Sequence, residues 1–159
     1  MNFREPALKL SEQLIEYRRD FHSHPEVSFC EERTSAVIRK FLADNGIEIQ
    51  EVGAGYSVVG VIRGGHPGKT FALRADIDAL PMPELNEVPY KSTVENVMHA
   101  CDHDSHTAAL MGVALLINQV KDQMHGNVKL LFQAAEEKIP GGAKELVEKA
   151  RWKTHMLTQ

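Results

Sequence analysis

The stretch that decides the fold runs from residue 106 to residue 133 and reads HTAALMGVALLINQVKDQMHGNVKLLFQ. Apolar residues recur at helical spacing over residues 106–120, which predicts a helix. Residues 127–133 form a nearly continuous apolar run, typical of a strand buried on both faces. A strand that follows a helical crossover pairs in parallel with an earlier strand, so this stretch predicts at least one parallel pairing.

The rest of the chain adds further helices and strands around this stretch. Helical spacing of apolar residues predicts helices over 6–24, over 31–45 and, after Gly141-Gly142, over about 143–150. Short runs rich in β-branched residues predict strands over 47–52, 56–63 and 70–75, with a turn at 64–68. Strands this close in sequence favour antiparallel pairing. We therefore expect an α/β fold with a mixed sheet flanked by helices.

Composition narrows the class of protein. The chain has 159 residues, 43% of them hydrophobic, enough for one domain with a core of its own. A net charge of -4 without a basic cluster indicates no nucleic-acid partner. No apolar run approaches the roughly 18–20 residues of a membrane span, and the first residues lack an apolar signal segment. We expect a cytoplasmic protein with no membrane partner, whose two cysteines are thiols.

Metal-ligating side chains are densest in residues 98–106, MHACDHDSH. Cys101 and His103 are two residues apart, so an extended backbone would direct both to the same side. Thiolate and imidazole are good ligands for zinc-like metals. The alternative interpretation is a polar helix N-terminus that Asp104 caps, with exposed histidines.

Acidic residues follow two of the predicted strands, at the edge of α/β sheets where ligands bind. Asp76 and Asp78 could orient a ligand histidine or contact a metal, or they could form a turn with Arg74. Glu136 and Glu137 are adjacent and would point in different directions. One could hold a metal while the other acts as a base on a water. The alternative for this pair is a solvated acidic loop.

Other histidines and Cys30 are interpreted as structural or surface residues. His22 and His24 resemble a ligand pair, but they lie at the predicted end of a helix, where histidine suits the helix dipole, and we leave them out of the site. His66, His125 and His155 are isolated, so we expect them on the surface. Cys30 is expected to be a buried residue at a helix end.

Several motifs occur together and in order. They are RRDFHSHPE at 18–26, ALRADIDALP at 72–81, MHACDHD at 98–104, FQAAEE at 132–137 and GGAK at 141–144. In this order and spacing the chain resembles the metal-dependent amidohydrolases of the aminoacylase and carboxypeptidase clan. The nearest subgroup contains hippurate hydrolase, N-acyl-L-amino acid amidohydrolases and auxin-conjugate hydrolases.

The resemblance implies a zinc-peptidase-like catalytic domain that hydrolyses the amide bond of N-acyl amino acids, which are small-molecule substrates. It implies that Cys101, His103 and Glu137 bind a divalent metal ion, zinc or manganese. It assigns the general base to Glu136 and a catalytic aspartate beside the metal to Asp78.

The chain also departs from the family pattern. Asp102 stands where the family usually has glycine, and Ala135 where it usually has proline. Family members continue further, so we expect residues 1–150 to be the N-terminal part of the catalytic domain and residues 151–159 to be an atypical tail. The dimerisation domain and the C-terminal catalytic part would be absent, and the oligomeric state stays open. The alternative function is a catalytically inactive, truncated remnant that binds at most one divalent metal.

Overall fold

The computed structural model describes residues 2–149, so the tail expected at 151–159 lies outside the described residues. The elements, in chain order, are α1 (Arg4–Lys9), α2 (Ser11–Ser23), α3 (Glu32–Asp44), β1 (Glu48–Gln50), β2 (Val58–Arg63), β3 (His66–Asp76), α4 (His103–Val120), β4 (His125–Gln133) and α5 (Ala143–Lys149). A single turn of 3-10 helix, Lys121–Gln123, joins α4 to β4. No helix among residues 2–149 is long and apolar enough to cross a membrane.

The four strands form one mixed sheet in the order β1-β2-β4-β3. β1 and β2 are antiparallel, β2 and β4 are antiparallel, and β3 and β4 are parallel. The parallel pair is joined by α4, as the apolar pattern of residues 106–133 predicted. The predicted α/β fold with a mixed sheet is confirmed.

The core lies mainly on the face of the sheet that α2, α3 and α4 cover. Phe21 on α2, Leu42 on α3 and Met111 on α4 are at most 1% exposed and pack against Leu130 and Phe132 of β4. The alternate residues of β2 and β4 point to the opposite face. There Val59, Val61 and Leu131 pack with Leu146 of α5 in a second, smaller cluster. Helices therefore lie on both faces of the sheet, as predicted.

Several predicted boundaries differ from the structure by a few residues, and backbone hydrogen bonds explain two of the differences. The predicted helix over 6–24 is divided at Leu10, whose N–H donates to the carbonyl of Ala7, three residues back instead of four. The predicted turn over 64–68 is shorter, because β3 already begins at His66. The N–H of His66 donates to the carbonyl of Met124 at 3.0 Å, which draws this residue into the sheet region.

The structure agrees with the expectations for His66 and His125 but not with the expectation for Cys30. His66 and His125 are exposed, as expected, and their rings stack with centroids 4.7 Å apart at the starts of β3 and β4. His155 lies outside the described residues. The expectation for Cys30 is wrong, because this thiol is exposed. Cys30 lies in the loop before α3, outside the helix whose apolar face forms the core.

The fold brings three chain segments to one edge of the sheet. β3 ends at Asp76 and its parallel neighbour β4 ends at Gln133, with these two residues in register. The residues that follow each strand therefore leave the sheet at the same edge. α4 begins at His103, and Thr107 in its first turns donates from Oγ1 to the carbonyl of Asp76 at 3.0 Å. This edge is where the predicted site residues lie.

Candidate metal centre

Side chains of Cys101, His103 and Glu137 meet at this edge. Each offers one ligand atom, and the three atoms all lie within 4.8 Å of one another. The Nε2 atom of His103 is 3.9 Å from Oε1 of Glu137. Within residues 2–149 no other group of three or more histidine, cysteine or acidic side chains has this geometry. The structure therefore brings together the three residues that the sequence predicted as ligands.

The backbone of Asp78 orients the His103 ring. Nδ1 of His103 lies 3.0 Å from the carbonyl oxygen of Asp78 and can donate to it. The thiol of Cys101 is directed to the same carbonyl, with Sγ at 3.7 Å. A histidine whose Nδ1–H is bound in this way presents Nε2 to a metal, which is the usual arrangement around metal ions in proteins. The orientation of His103 is thus set before any ion binds.

The side chain of Asp78 is fully buried and hydrogen-bonded. Its Oδ2 accepts the Ser28 hydroxyl at 2.6 Å and the Glu137 backbone N–H at 2.9 Å. Burial raises the pKa of a carboxyl group, but hydrogen bonds from His103, Ser28 and the Glu137 and Glu136 N–H groups outweigh it and lower the pKa of Asp78 to about 2. Asp78 is therefore a carboxylate that contacts both segments of the candidate site.

The pKa of His103 shifts in the opposite direction from that of Asp78. Burial lowers the pKa of its imidazole, but the Asp78 side chain and Cys101 outweigh burial and raise that pKa to about 11. The Asp78 Oδ1 atom is 3.3 Å from Nδ1 of His103. Without a metal, His103 is an imidazolium, so an ion that binds Nε2 must displace a proton.

Asp76 takes no part in this group. Its Oδ1 accepts two hydrogen bonds from Arg74, the shorter of them at 2.6 Å from the Nη2 atom. This is the arginine–carboxylate pair that the sequence left open as an alternative, but it lies within β3 and not in a turn. Asp76 and Asp78 thus have different environments, although they are only two residues apart.

Asp102 and Ala135 both adopt left-handed backbone conformations, with φ of 64° and 53°. Glycine adopts this region without strain, which explains why the family usually has glycine at position 102. Aspartate tolerates the same conformation better than most residues. The proline that the family pattern implies at position 135 does not fit this backbone conformation. Proline is fixed at φ near −65° and cannot take this conformation.

Three side chains from distant segments hold the turn that carries the glutamate pair. The N–H of Ala134 donates to Ser57 Oγ at 3.0 Å, and the N–H of Ala135 donates to Glu31 Oε1 at 2.7 Å. The third bond is the one from Glu137 to Asp78. Glu136 is exposed on the same turn. Glu137 is exposed as well, so both side chains are solvated, but the backbone that carries them is fixed to the core.

His22 lies in the last turn of α2, as predicted, and is not among the candidate ligands, but the sequence did not predict its buried contacts. His22 is 3% exposed, with Nδ1 2.7 Å from Asp104 Oδ2 and Nε2 3.1 Å from Glu84 Oε1. Asp104 also pairs with Arg18 Nε at 3.0 Å, and its Oδ1 accepts the N–H of Ser105 in the first turn of α4 at 2.8 Å, although the N-cap residue is Asp102. The available signal was the four-residue spacing of Arg18 and His22 on α2, which places two polar side chains on one face.

A cavity adjoins the loop that carries Cys101 and His103. Its volume is about 370 Å³, within the size range of small-molecule sites. Its lining includes His22, Glu84, Tyr90, His99 and Asp102. His99 is 2% exposed, and burial lowers the pKa of its imidazole to about 4, so the ring is neutral at physiological pH.

A model of peptidase family M20/M25/M40 matches residues 72–158, more than half of the chain and the part that contains all the predicted site residues. The chain belongs to this family. It is 48% identical over 88% of its length to thermostable carboxypeptidase 2 of Saccharolobus solfataricus and 43% identical over 85% to an N-acyl-L-amino acid amidohydrolase of Geobacillus stearothermophilus. It covers 36% of each of these relatives, so the chain spans about a third of their length.

A solved structure of the same family agrees with the fold. The chain superposes on the YXEP protein of Bacillus subtilis, described as a dinuclear metal binding peptidase, with a TM-score of 0.84 and 44% identity. The superposition covers 87% of this chain and 39% of that protein. The resemblance to metal-dependent amidohydrolases inferred from the motifs is confirmed, and use of a divalent metal is a property that this family supports.

Proposed function

We propose that the chain forms the metal-binding part of an amidohydrolase that hydrolyses the amide bond of N-acyl amino acids. The observation that carries the proposal is the convergence of Cys101, His103 and Glu137 within 4.8 Å at the edge where β3 and β4 end. Its substrate class is supported by the relative whose name is N-acyl-L-amino acid amidohydrolase. In this proposal residues 1–150 correspond to the N-terminal part of a catalytic domain.

The donor set fits a divalent ion. Thiolate, imidazole and carboxylate are all zinc ligands, and three protein ligands with an open position are typical of catalytic zinc sites. The Nε2 atom of His103 lies on the opposite side of the ring from the Asp78 contact and faces Glu137, which supports this fit. We propose zinc or manganese, and the sulfur of Cys101 favours zinc, since manganese prefers oxygen ligands.

The proposed reaction adds water to the acyl carbonyl carbon and breaks its bond to the amino acid nitrogen. A bound divalent ion would polarise the carbonyl group and make water more acidic. Glu136 accepts a proton from the attacking water and delivers it to the leaving amine, which departs as the free amino acid. Asp78 keeps His103 and the Glu137 backbone in place during this step.

The second candidate function is binding of one divalent ion without turnover. It is favoured by the finding that residues 2–149 contain a single group of suitable ligands, whereas the YXEP protein is described as dinuclear. In that case Cys101, His103 and Glu137 hold an ion but Glu136 has no activated water on which to act. Activity measurements separate the two candidates.

The test combines metal analysis with turnover of N-acetyl amino acids and N-benzoylglycine. We expect about one ion per chain, lost in Cys101→Ser and Glu137→Gln and retained in Glu136→Gln. Glu148→Gln, which changes an exposed glutamate of α5, is the matched control. Turnover on the order of 1 per second or faster that Glu136→Gln abolishes supports the hydrolase. Metal without turnover supports the second candidate, and a chain that binds no ion contradicts both.

A further inference from the structure

Glu31 is a buried carboxylate that the proposed reaction does not use. It is 0% exposed at the N-cap position of α3, yet its side chain makes no capping hydrogen bond. Capping is done by Glu26, whose carboxylate accepts the N–H groups of Arg33 at 2.9 Å and Thr34 at 2.7 Å. Burial raises the pKa of the Glu31 carboxyl above its ordinary value. Such a buried acid needs a polar partner elsewhere.

That partner is the turn before the glutamate pair. Oε1 of Glu31 accepts the N–H of Ala135 at 2.7 Å, although the two residues are 104 positions apart in sequence. Ala135 is 1% exposed and has a left-handed φ of 53°, a conformation that is costly for alanine. A positive φ redirects the chain, so it decides where Glu136 and Glu137 project. The hydrogen bond from Glu31 stabilises the residue at which this redirection occurs.

The loop between α2 and α3 also reaches the other end of the turn. Ser28, in the same loop, donates to Asp78 Oδ2, and that oxygen also accepts the N–H of Glu137. The loop is itself fixed to the segment after β3, since the N–H of Ala79 donates to the carbonyl of Glu26 at 2.8 Å. Both ends of the turn from residue 135 to residue 137 are thus held from one loop.

We propose that Glu31 is a positioning residue, whose buried carboxylate holds the backbone at Ala135 so that Glu137 projects toward Cys101 and His103. The inference rests on the proposed function for the roles of the two glutamates. Glu31 acts through the backbone and does not contact the ligand atoms. Ser28 supports the same turn through Asp78.

The first experiment measures amide hydrogen exchange in the metal-free chain, and so does not depend on metal binding. Glu31→Ala removes the acceptor, and we expect the Ala135 amide to exchange roughly tenfold faster or more. Amides in the middle of α3 keep their wild-type rates. Glu32→Ala, which changes the exposed neighbour, is the matched control and leaves Ala135 unchanged.

Two further variants separate the effect of side-chain length from the effect of side-chain charge. Glu31→Gln keeps an oxygen within reach of Ala135, so its exchange remains near the wild-type rate. Glu31→Asp keeps the charge but shortens the side chain by one methylene, so it behaves like Glu31→Ala. If Glu31→Ala does not fold, Glu31→Asp decides the question. Unchanged Ala135 exchange in Glu31→Asp, or equal acceleration of all core amides, overturns the proposal.

The second experiment titrates cobalt(II) as a spectroscopic substitute for the bound ion. We expect Glu31→Ala and Glu31→Asp to weaken cobalt binding about 10–100-fold and to change the visible bands that report ligand geometry. Glu31→Gln restores both. Faster Ala135 exchange with wild-type cobalt affinity overturns the positioning role. If the wild-type chain binds no cobalt, the proposed function fails, and the exchange experiment alone decides whether Glu31 holds the turn.

Discussion

His22 Nδ1 lies 2.7 Å from Oδ2 of Asp104, and both side chains are almost completely buried. The contact joins the last turn of α2 to the first turn of α4, one residue after the candidate ligand His103. The other ring nitrogen of His22 contacts Glu84 in the long segment between β3 and α4. The imidazole of His22 therefore connects α2, the first turn of α4 and the segment between β3 and α4.

His22→Ala should destabilise the protein strongly, because it leaves the buried carboxylates of Asp104 and Glu84 without this partner. We expect the free energy of unfolding to fall by about 3 kcal/mol in urea denaturation. The control is His24→Ala, since the His24 side chain is 44% exposed and its ion pair with Asp20 is worth less than about 1 kcal/mol. Equal losses in the two variants would contradict the buried role of His22.

Metal binding should release a proton from His103. Its pKa of about 11 keeps the ring protonated in the metal-free chain, and the ion needs the neutral ring. Calorimetry in two buffers of different ionisation enthalpy, at about pH 8 where an ordinary histidine has lost its proton, measures this release. Asp78→Asn removes the carboxylate that raises the pKa, so we expect it to release less of this proton. Identical release from both chains would exclude the coupling.

Stability of the metal-free chain should depend on pH through the same pair. The pKa of Asp78 is lowered from 3.8 to about 2, so its contribution is present above pH 3.8 and is lost as pH falls through 2. The pKa of His103 is raised from 6.5 to about 11, so its contribution is complete below pH 6.5 and is lost as pH rises through 11. We therefore expect the pair to contribute its full stabilisation between pH 3.8 and pH 6.5.

Urea midpoints of the metal-free chain at increasing pH check this dependence. The wild-type midpoint should decline between pH 6.5 and 11, whereas Asp78→Asn should decline less because it lacks the charge that holds the His103 proton. Parallel decline of the two chains would contradict the assignment of this pH dependence to the pair.

Position 102 offers a test of backbone strain beside the candidate ligands. Asp102 has φ of 64°, so Asp102→Gly should be more stable than Asp102→Ala by about 1 kcal/mol, because only alanine pays for the left-handed conformation. Urea denaturation compares the two. Asp102→Asn, which keeps the shape but removes the charge, serves as the control for electrostatic effects on stability. A more stable alanine variant would show that the backbone conformation differs from the one described.

The parts of the fold that follow local patterns could be predicted from the sequence. The helix α4 and the strand β4 each have apolar spacing that is complete within a dozen or so residues, and their parallel crossover follows from chain geometry. The break at Leu10 and the early start of β3 at His66 could not be predicted in this way. Both depend on backbone hydrogen bonds, which do not produce a periodic pattern of apolar side chains in the sequence.

The residues of the candidate site also differ in how far the sequence could predict them. Cys101, His103, Glu136 and Glu137 stand in compact motifs, so their residue types alone indicated chemistry. His22 and Glu31 did not, because their partners lie 82 and 104 residues away and neither spacing nor propensity reports such pairings. A histidine or glutamate at a helix end has an ordinary local explanation until the tertiary structure supplies a distant partner.

The position of β4 between β2 and β3 has a consequence for how the chain acquires its structure. β2 and β3 are close in sequence but share no ladder, so no early hairpin can form between them. The sheet remains in two separate pieces until the last strand enters, and loop closure of this length slows folding. Because Glu137 follows that strand closely, the step that closes the sheet also brings it to Cys101 and His103. Folding intermediates that lack β4 therefore cannot assemble this group of metal ligands.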